Sequence, residues 1–317
     1  MEKPLVSLCI YTYKQENLVR ETLEAAVAQD YPNLEIIVSD DCSPDNTFGV
    51  IQDFANNYKG PHKLIINRNE TNLGIGGNMM KLFSLSHGQF LVNNCGDDLS
   101  LPNRVSVSVE TIIKAGVESM SFAMIPFGQS VTRSHIFDDV DQNSVIRYHM
   151  NDYIKGGIIS SGASRIMTRK IVDFFGPLNP DCPTEDSTFT LRAFLLGGQA
   201  YSSKPLVKYR IHNENTSRGV NYYKRINPKP IYNQYLSDLK IAYSKGLVSD
   251  EEKNKLNDKF NLYLEKETLV RELFFCGNNF QRGIRLLKYV LSKDIRIETK
   301  KKLFKNYLSW VKHNTKA

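Results

Sequence analysis

Three short polar clusters, each closing an apolar run, hold the residues of this sequence that could do chemistry. Tyr11-Thr12-Tyr13 ends the run that begins at Leu5, Asp40-Asp41 follows Leu34 to Val38, and Gly96-Asp97-Asp98 follows Gln89 to Val92. Aromatic rings stack on planar bases. Carboxylates hold hard divalent cations, and Mg²⁺ or Mn²⁺ keeps coordination positions open for phosphate oxygens. A nucleotide with its metal is therefore the ligand these groups suit. Farther along, Glu185-Asp186 opens an apolar-periodic segment, and His212 closes Tyr209-Arg210-Ile211-His212.

The elements that must position these residues alternate. Leu5–Ile10 is nearly continuous in apolar residues, as a strand covered on both faces should be. Asn17 is a candidate cap for a helix through Leu18, Leu23, Ala26 and Val27. Leu34–Val38 reads as a strand, Asp45 or Asn46 starts a second helix, and Lys63–Ile66 reads as a third strand. Asn72-Leu73-Gly74 leads into a helix with Met79, Leu82, Phe83 and Leu85, for which Gly88 is the expected left-handed cap. A fourth strand, Gln89–Val92, ends near the acidic pair. Such alternation predicts a parallel α/β sheet with right-handed crossovers, whose strand ends share one edge where ligands bind.

The middle of the chain, Ser119 to Arg169, is irregular and rich in Gly and Ser, whereas Glu185-Asp186 opens a helix and Pro205–Ile211 reads as a strand. Beyond residue 217 the pattern is helical. Charge divides there too: residues 218–317 hold 22 Lys and Arg against 10 Asp and Glu, a balance of +12, while the first 217 carry −5. A basic segment beside an acidic body suits an anionic partner, although a solvated lysine-rich face gives the same count. Leu303, Tyr307 and Trp310, beside Lys300-Lys301-Lys302 and Lys305, are the expected amphipathic positions of a membrane-docking face; a core or dimer seam is the competing reading. Five scattered cysteines without a Cys-x-x-Cys pair argue against a disulfide framework or zinc site and read as reduced thiols. Leu5–Tyr13 lacks the basic flank and cleavage site of a signal peptide, and the longest uncharged runs are too short and polar to span a bilayer, so a cytosolic location is expected.

Taken in order, Leu5 to Tyr13, Ser39-Asp40-Asp41-Cys42-Ser43-Pro44-Asp45-Asn46-Thr47, Asn72-Leu73-Gly74, Gly96-Asp97-Asp98, Glu185-Asp186 and Tyr209-Arg210-Ile211-His212 with Ser217 resemble the motifs of family 2 glycosyltransferases of the GT-A fold. The resemblance covers about the first two thirds of the chain. It implies a Rossmann-like, mostly parallel sheet flanked by helices, with residues 1–217 as the nucleotide-sugar-binding and catalytic domain and 218–317 as a basic helical extension. A nucleotide-sugar donor, Mn²⁺ or Mg²⁺, and inversion at the anomeric carbon come with it.

Residue by residue, the resemblance assigns Tyr13 to stacking on the base, with Tyr11 and Thr12 beside it and Glu16 on the rim. Asp41 becomes the acceptor of the base imide N–H, which favours uracil or thymine, and Arg68 reaches base or phosphate. Asp97 faces the ribose, while Asp98 and His212 meet the metal. Gly96 departs from the pattern, standing where many relatives carry a third aspartate. Asp186 is the expected catalytic base and Glu185 orients it or the acceptor; the loop from Gly156-Gly157 to Gly162-Ala163-Ser164 is a candidate for the acceptor side. These assignments describe an inverting transferase acting on a UDP- or dTDP-sugar and a growing surface glycan, free or lipid-linked, with a membrane surface and a homo-oligomer as candidate further partners. The rivals are a nucleotidyltransferase, disfavoured by the absence of a Gly-rich basic loop after Tyr13, and a nucleotide-sugar-binding module without catalysis, disfavoured by Asp98 and Asp186. No nucleic-acid-binding motif accompanies the basic tail.

Overall fold

The computed structural model describes residues 3–128, 144–212, 226–275, 279–293 and 295–314. Two compact units are present, Met1–Asn215 and Thr216–Ala317.

The first unit opens with β1 (Val6–Thr12), α1 (Val19–Val27), β2 (Leu34–Asp40), α2 (Thr47–Asn57), β3 (Lys63–Arg68), α3 (Gly74–Leu85) and β4 (Phe90–Cys95). These strands lie parallel in the order β3-β2-β1-β4. The chain builds outward from β1 on one side and then crosses to the other, so the crevice between β1 and β4 is the topological switch point, where ligands of doubly wound sheets bind. Every residue of β2 and six of the seven in β1 are buried. Only central strands covered on both faces read this way, and each buried Val, Leu or Ile there contributes about 1.5–3 kcal/mol.

The second half of the sheet is mixed. It adds β5 (Leu99–Ser100), α4 (Arg104–Ala115), β6 (Ser119–Gly128), β7 (Val145–Tyr148), α5 (Met150–Lys155), β8 (Ile166–Thr168), α6 (Lys170–Phe175), α7 (Asp186–Leu196) and β9 (Gln199–Ile211). β8 runs antiparallel to β4 and β6, while β9 pairs parallel with β6 and antiparallel with β5 and β7. The short strands β5, β7 and β8 fall in stretches where alternation is too brief to read. The architecture is α/β, mostly parallel and flanked by helices, as the sequence implies.

Two caps differ from expectation: α1 is entered through Leu18, with no side-chain cap hydrogen bond, rather than capped by Asn17, and Gly88 does not cap α3. α3 ends at Ser86 in extended backbone, and Gly88 does not adopt a positive φ. Gly88 is instead a point of close approach: its N–H donates to Ser7 Oγ at 2.8 Å, and a Cβ there would lie 2.5 Å from the Ser7 nitrogen.

The second unit holds α8 (Pro228–Ser244), α9 (Asp250–Phe274), α10 (Asn279–Leu291) and α11 (Ile297–Asn314). Ser249 and Glu252 close a capping box at the start of α9. Tyr235 of α8 packs on Phe260 and Tyr263 of α9 at ring separations of 4.9 and 5.5 Å. A second cluster joins Val270, Leu273, Leu286 and Leu303, with Tyr307 against it. This overturns the expected membrane stripe: Leu303 is fully buried and belongs to the unit's own core. The side chain of Trp310, like Ser217 and Cys276, lies outside the described residues. No helix among the described residues is long and apolar enough to cross a membrane.

Candidate active site

The carboxyl ends of β1, β2 and β4 are tied together by main chain. Asp41 N–H donates to the Thr12 carbonyl and Gly96 N–H to the Tyr11 carbonyl, both at 3.0 Å. Two loops leaving this edge are joined as well, with Lys14 N–H on Ser43 Oγ at 2.9 Å and Gln15 N–H on Thr47 Oγ1 at 2.7 Å. Lys14 and Cys42 take positive φ, 57° and 56°, where the chain turns sharply off β1 and β2. Here Tyr13 projects 42% exposed, with Lys14 Nζ 5.3 Å from its ring centre. Glu16 accepts the N–H of Asn46, the residue before α2, at 2.9 Å and so ties the loop after β1 to the start of that helix. The Thr12 side chain turns inward to the Ser39 carbonyl and Asp40, each at 3.4 Å.

Asp40 and Asp41 divide their labour. Buried Asp40 holds the turn by accepting the N–H and hydroxyl of Ser43. Arg68 lies beside it, 3.7 Å from Asp40 Oδ2, donates to the Ser43 carbonyl at 3.1 Å and stacks over Phe48. Asp41 Oδ1 accepts from Asn69 Nδ2 at 2.9 Å and Leu73 N–H at 2.8 Å, which fixes its carboxylate at the start of the loop to α3.

At the end of β4 the acidic pair is held from a distant strand. Asp98 is fully buried; its Oδ1 accepts the backbone N–H of Arg210 at 2.8 Å, and its Oδ2 has no hydrogen-bond partner. Burial, then the neighbouring Asp97 charge, pushes the Asp98 carboxyl up to about 8. His212 Nε2 sits 2.9 Å from Asp97 Oδ2, and Arg210 Nε donates to the Asp97 carbonyl at 2.9 Å. Cys95 Sγ and carboxylate oxygens of Asp97 and Asp98 lie within 4.8 Å of one another. A buried oxygen without a partner costs about 1–3 kcal/mol. A divalent cation would satisfy it, so the donor set present fits Mg²⁺ or Mn²⁺.

The second carboxylate pair stands at the N-terminus of α7. Glu185 is buried and Asp186 is exposed. Burial first and the adjacent Asp186 charge second push the Glu185 carboxyl up to about 8. Both acids act on Tyr11: burial, then Cys95, Glu185 and Asp186, raise its phenol well above the usual value, and its hydroxyl meets Cys95 Sγ at 2.7 Å. The structure thus brings Tyr11, Cys95, Asp97, Asp98, His212, Glu185 and Asp186 to one region. Tyr13, Glu16, Asp41 and Arg68 gather on the β2 side of the same edge.

Two glycines stand at points of close approach. A Cβ on Gly96 would lie 2.5 Å from Thr12 Cγ2 and collide with Gln15, so the absent third aspartate has no room here. A Cβ on Gly162 would overlap Asp186 Oδ1, so that carboxylate is seated on the bare backbone of the 156–164 loop.

Two buried cations bracing this site, Arg104 and Arg165, escaped sequence reasoning. Arg104 donates to Asn94 Oδ1, Ser100 Oγ and the Asn93 and Ala163 carbonyls, bracing the turn under Asp98. Arg165 donates through Nη2 to Ser160 Oγ, the Asp186 carbonyl and Thr190 Oγ1, bracing the start of α7. Each reads in sequence as an ordinary solvated arginine; nothing local marks it. Cys95 was read only as a reduced thiol, and it is one of four free cysteines among the described residues.

A doubly wound sheet with carboxylates at its switch point and a second acidic pair at a facing helix start defines the GT-A class. Solved structures share the fold: Staphylococcus aureus TarS 1-349 in complex with UDP-GlcNAc superposes with a TM-score of 0.60 at 18% identity, over 97% of this chain and 81% of that one. The chain belongs to glycosyl transferase family 2, whose family model matches residues 7–173. It is 32% identical over 111 residues to EpsE of Bacillus subtilis, provisionally named a glycosyltransferase, covering 35% of this chain and 39% of EpsE. Over 88 residues it is 38% identical to the abequosyltransferase RfbV of Salmonella typhimurium, covering 27% of this chain and 26% of RfbV. The matches span about two fifths of the length of the curated relatives compared first.

Proposed function

We propose that this chain is an inverting, metal-dependent glycosyltransferase that moves a sugar from a UDP- or dTDP-sugar onto a growing bacterial surface glycan such as O-antigen, lipopolysaccharide or capsule, working at the cytoplasmic face of the membrane. Residues 1–217 form the catalytic part in this reading. The observation that carries it is the unpartnered Oδ2 of buried Asp98, beside the Asp97–His212 pair at the β1/β4 switch point. Family membership, the similarity to RfbV and EpsE, and the fold shared with a TarS–UDP-GlcNAc complex support it.

Tyr13 stacks on the base in this scheme, and Asp41, held by Asn69 and Leu73, accepts its imide N–H. Tyr11 and Thr12 shape the floor, Glu16 and Arg68 the rim, and Asp97 faces the ribose. Asp98 and His212 hold the divalent ion, which when bound neutralises charge on the departing diphosphate. Burial and the adjacent Asp186 charge bias the Glu185 carboxyl toward its protonated form. The exposed Asp186 takes the acceptor hydroxyl proton in this reading, opposite the leaving group, with Glu185 orienting it.

Incubation with UDP- and dTDP-sugars and Mn²⁺, reading released nucleoside diphosphate, tests the reading. One donor is expected to be hydrolysed slowly without acceptor, and Asp98→Ala to lose both turnover and metal-dependent nucleotide binding by calorimetry. Metal-dependent affinity unchanged in Asp98→Ala refutes the assignment.

A further inference from the structure

α10 and α11 are apolar on two opposite sides. In α10 one side carries Leu286 into the core with Val270, Leu273 and Leu303. The other side presents Phe280, Ile284, Leu287 and Leu291, separated by four, three and four residues and so aligned along one face. All four are exposed, Phe280 by 76% and Leu291 by 71%. α11 repeats the arrangement: Leu303 and Thr299 are fully buried on one side, while Ile297, Phe304 and Leu308 are exposed on the other. A soluble helix needs one apolar face, and a second one with large exposed side chains marks a surface that binds.

The charges beside these stripes are mostly positive, Glu298 at the start of α11 being the acidic exception. α10 contains no acidic residue; of its cations Lys288 lies nearest the exposed face, while Arg282 is buried on the core side and donates to the Leu273 carbonyl. On α11, Lys301 and Lys305 fall within about a quarter turn of the exposed stripe at 3.6 residues per turn, and both are exposed. Lys302 points elsewhere, paired with Glu267. Large apolar side chains edged by lysines match the boundary of an anionic bilayer, where acyl chains accept the former and headgroup phosphates the latter.

We infer that the outward faces of α10 and α11 are a membrane-docking surface for anionic phospholipid. This deepens the proposed function by naming the surface that brings the enzyme to a lipid-linked acceptor, and rests on that function only for this purpose. The stripe differs from the one the sequence suggested, because Leu303 faces inward and Phe304 and Leu308 face out.

Flotation of the full chain with vesicles of phosphatidylcholine plus phosphatidylglycerol, against phosphatidylcholine alone, tests it across a salt series. Binding is expected on the anionic vesicles only, falling about tenfold or more between low and high salt. Leu287→Ser with Phe304→Ser, and separately Lys301→Glu with Lys305→Glu, are expected to weaken it at least about tenfold with unchanged thermal midpoint, since all four side chains are exposed. Light scattering is run on the same samples. Absence of flotation, equal flotation on neutral vesicles, or undiminished binding by either variant overturns the inference. So does a dimer that Leu287→Ser with Phe304→Ser converts to monomer, which makes the stripes a seam between copies. Donor hydrolysis measured without vesicles separates the two readings: turnover without flotation discards the surface and leaves the transferase standing.

Discussion

Glu185→Gln is expected to stabilise the protein in alkali while changing little in acid. The carboxyl is buried beside Asp186, and its folded value of about 8 stands above the ordinary 4.5. Between those values the native state holds a proton that the unfolded chain releases, so native stability declines as pH rises, by about 1.4 kcal/mol per pH unit for one proton. The stabilising proton is fully present below about 4.5 and is lost above about 8. Integrated over that window, the cost of ionising Glu185 reaches at most about 5 kcal/mol. Glutamine has nearly the same shape and no proton to lose. Urea unfolding of metal-free wild type and variant, from pH 5 to 9, is expected to give stabilities that coincide near pH 5 and diverge steadily upward, the variant being more stable at pH 9. A difference in thermal midpoint on the order of 10 °C at pH 9 follows for a unit of this size. Asp98 moves wild type in the same direction, but it is present in both proteins and cancels in the comparison. Parallel stability profiles across the range refute the assignment of a raised value to Glu185.

Other substitutions probe the same edge. Asp186→Asn is expected to keep donor affinity, measured by calorimetry, while sugar transfer falls about 10²-fold or more. Gly162→Ala places a methyl where Asp186 Oδ1 sits, so transfer is expected to fall at least about tenfold with little change in the circular dichroism spectrum or nucleotide affinity. Arg104→Met strips the buried cation from four acceptors under the Asp98 turn and is expected to cost about 3–5 kcal/mol in urea unfolding.

The parallel half of the fold was legible because its inner strands are buried on both faces: Leu5–Ile10 and Leu34–Val38 read as nearly continuous apolar runs and form interior strands of the sheet. Strand-end chemistry was legible for the same reason, since polar residues after such a run must lie on the ligand edge. What sequence could not give is what side chains do once distant segments meet. Arg104 and Arg165 look like surface cations until the Asn94 and Asp186 loops close over them. Gly88 has the position of a helix cap, yet the approach of Ser7 across 81 residues is what excludes a side chain there. In the helical extension periodicity located the helices but not which apolar face turns inward: Ile284, Leu287 and Leu291 are outward and Leu286 is inward, a choice made by packing on Val270 and Leu273.

The clasp of β9 on the acidic turn sets the order in which this site is assembled. Arg210 and His212 reach back 112 and 115 residues to Asp98 and Asp97. Contacts of such separation form late, because the intervening loop must close before they return any energy. Without β9 the Asp97-Asp98 turn keeps its local bonds to Asn94 and Cys95 but lacks the Arg210 and His212 partners of its carboxylates. The acidic turn is therefore completed only by β9, the last strand of the first unit.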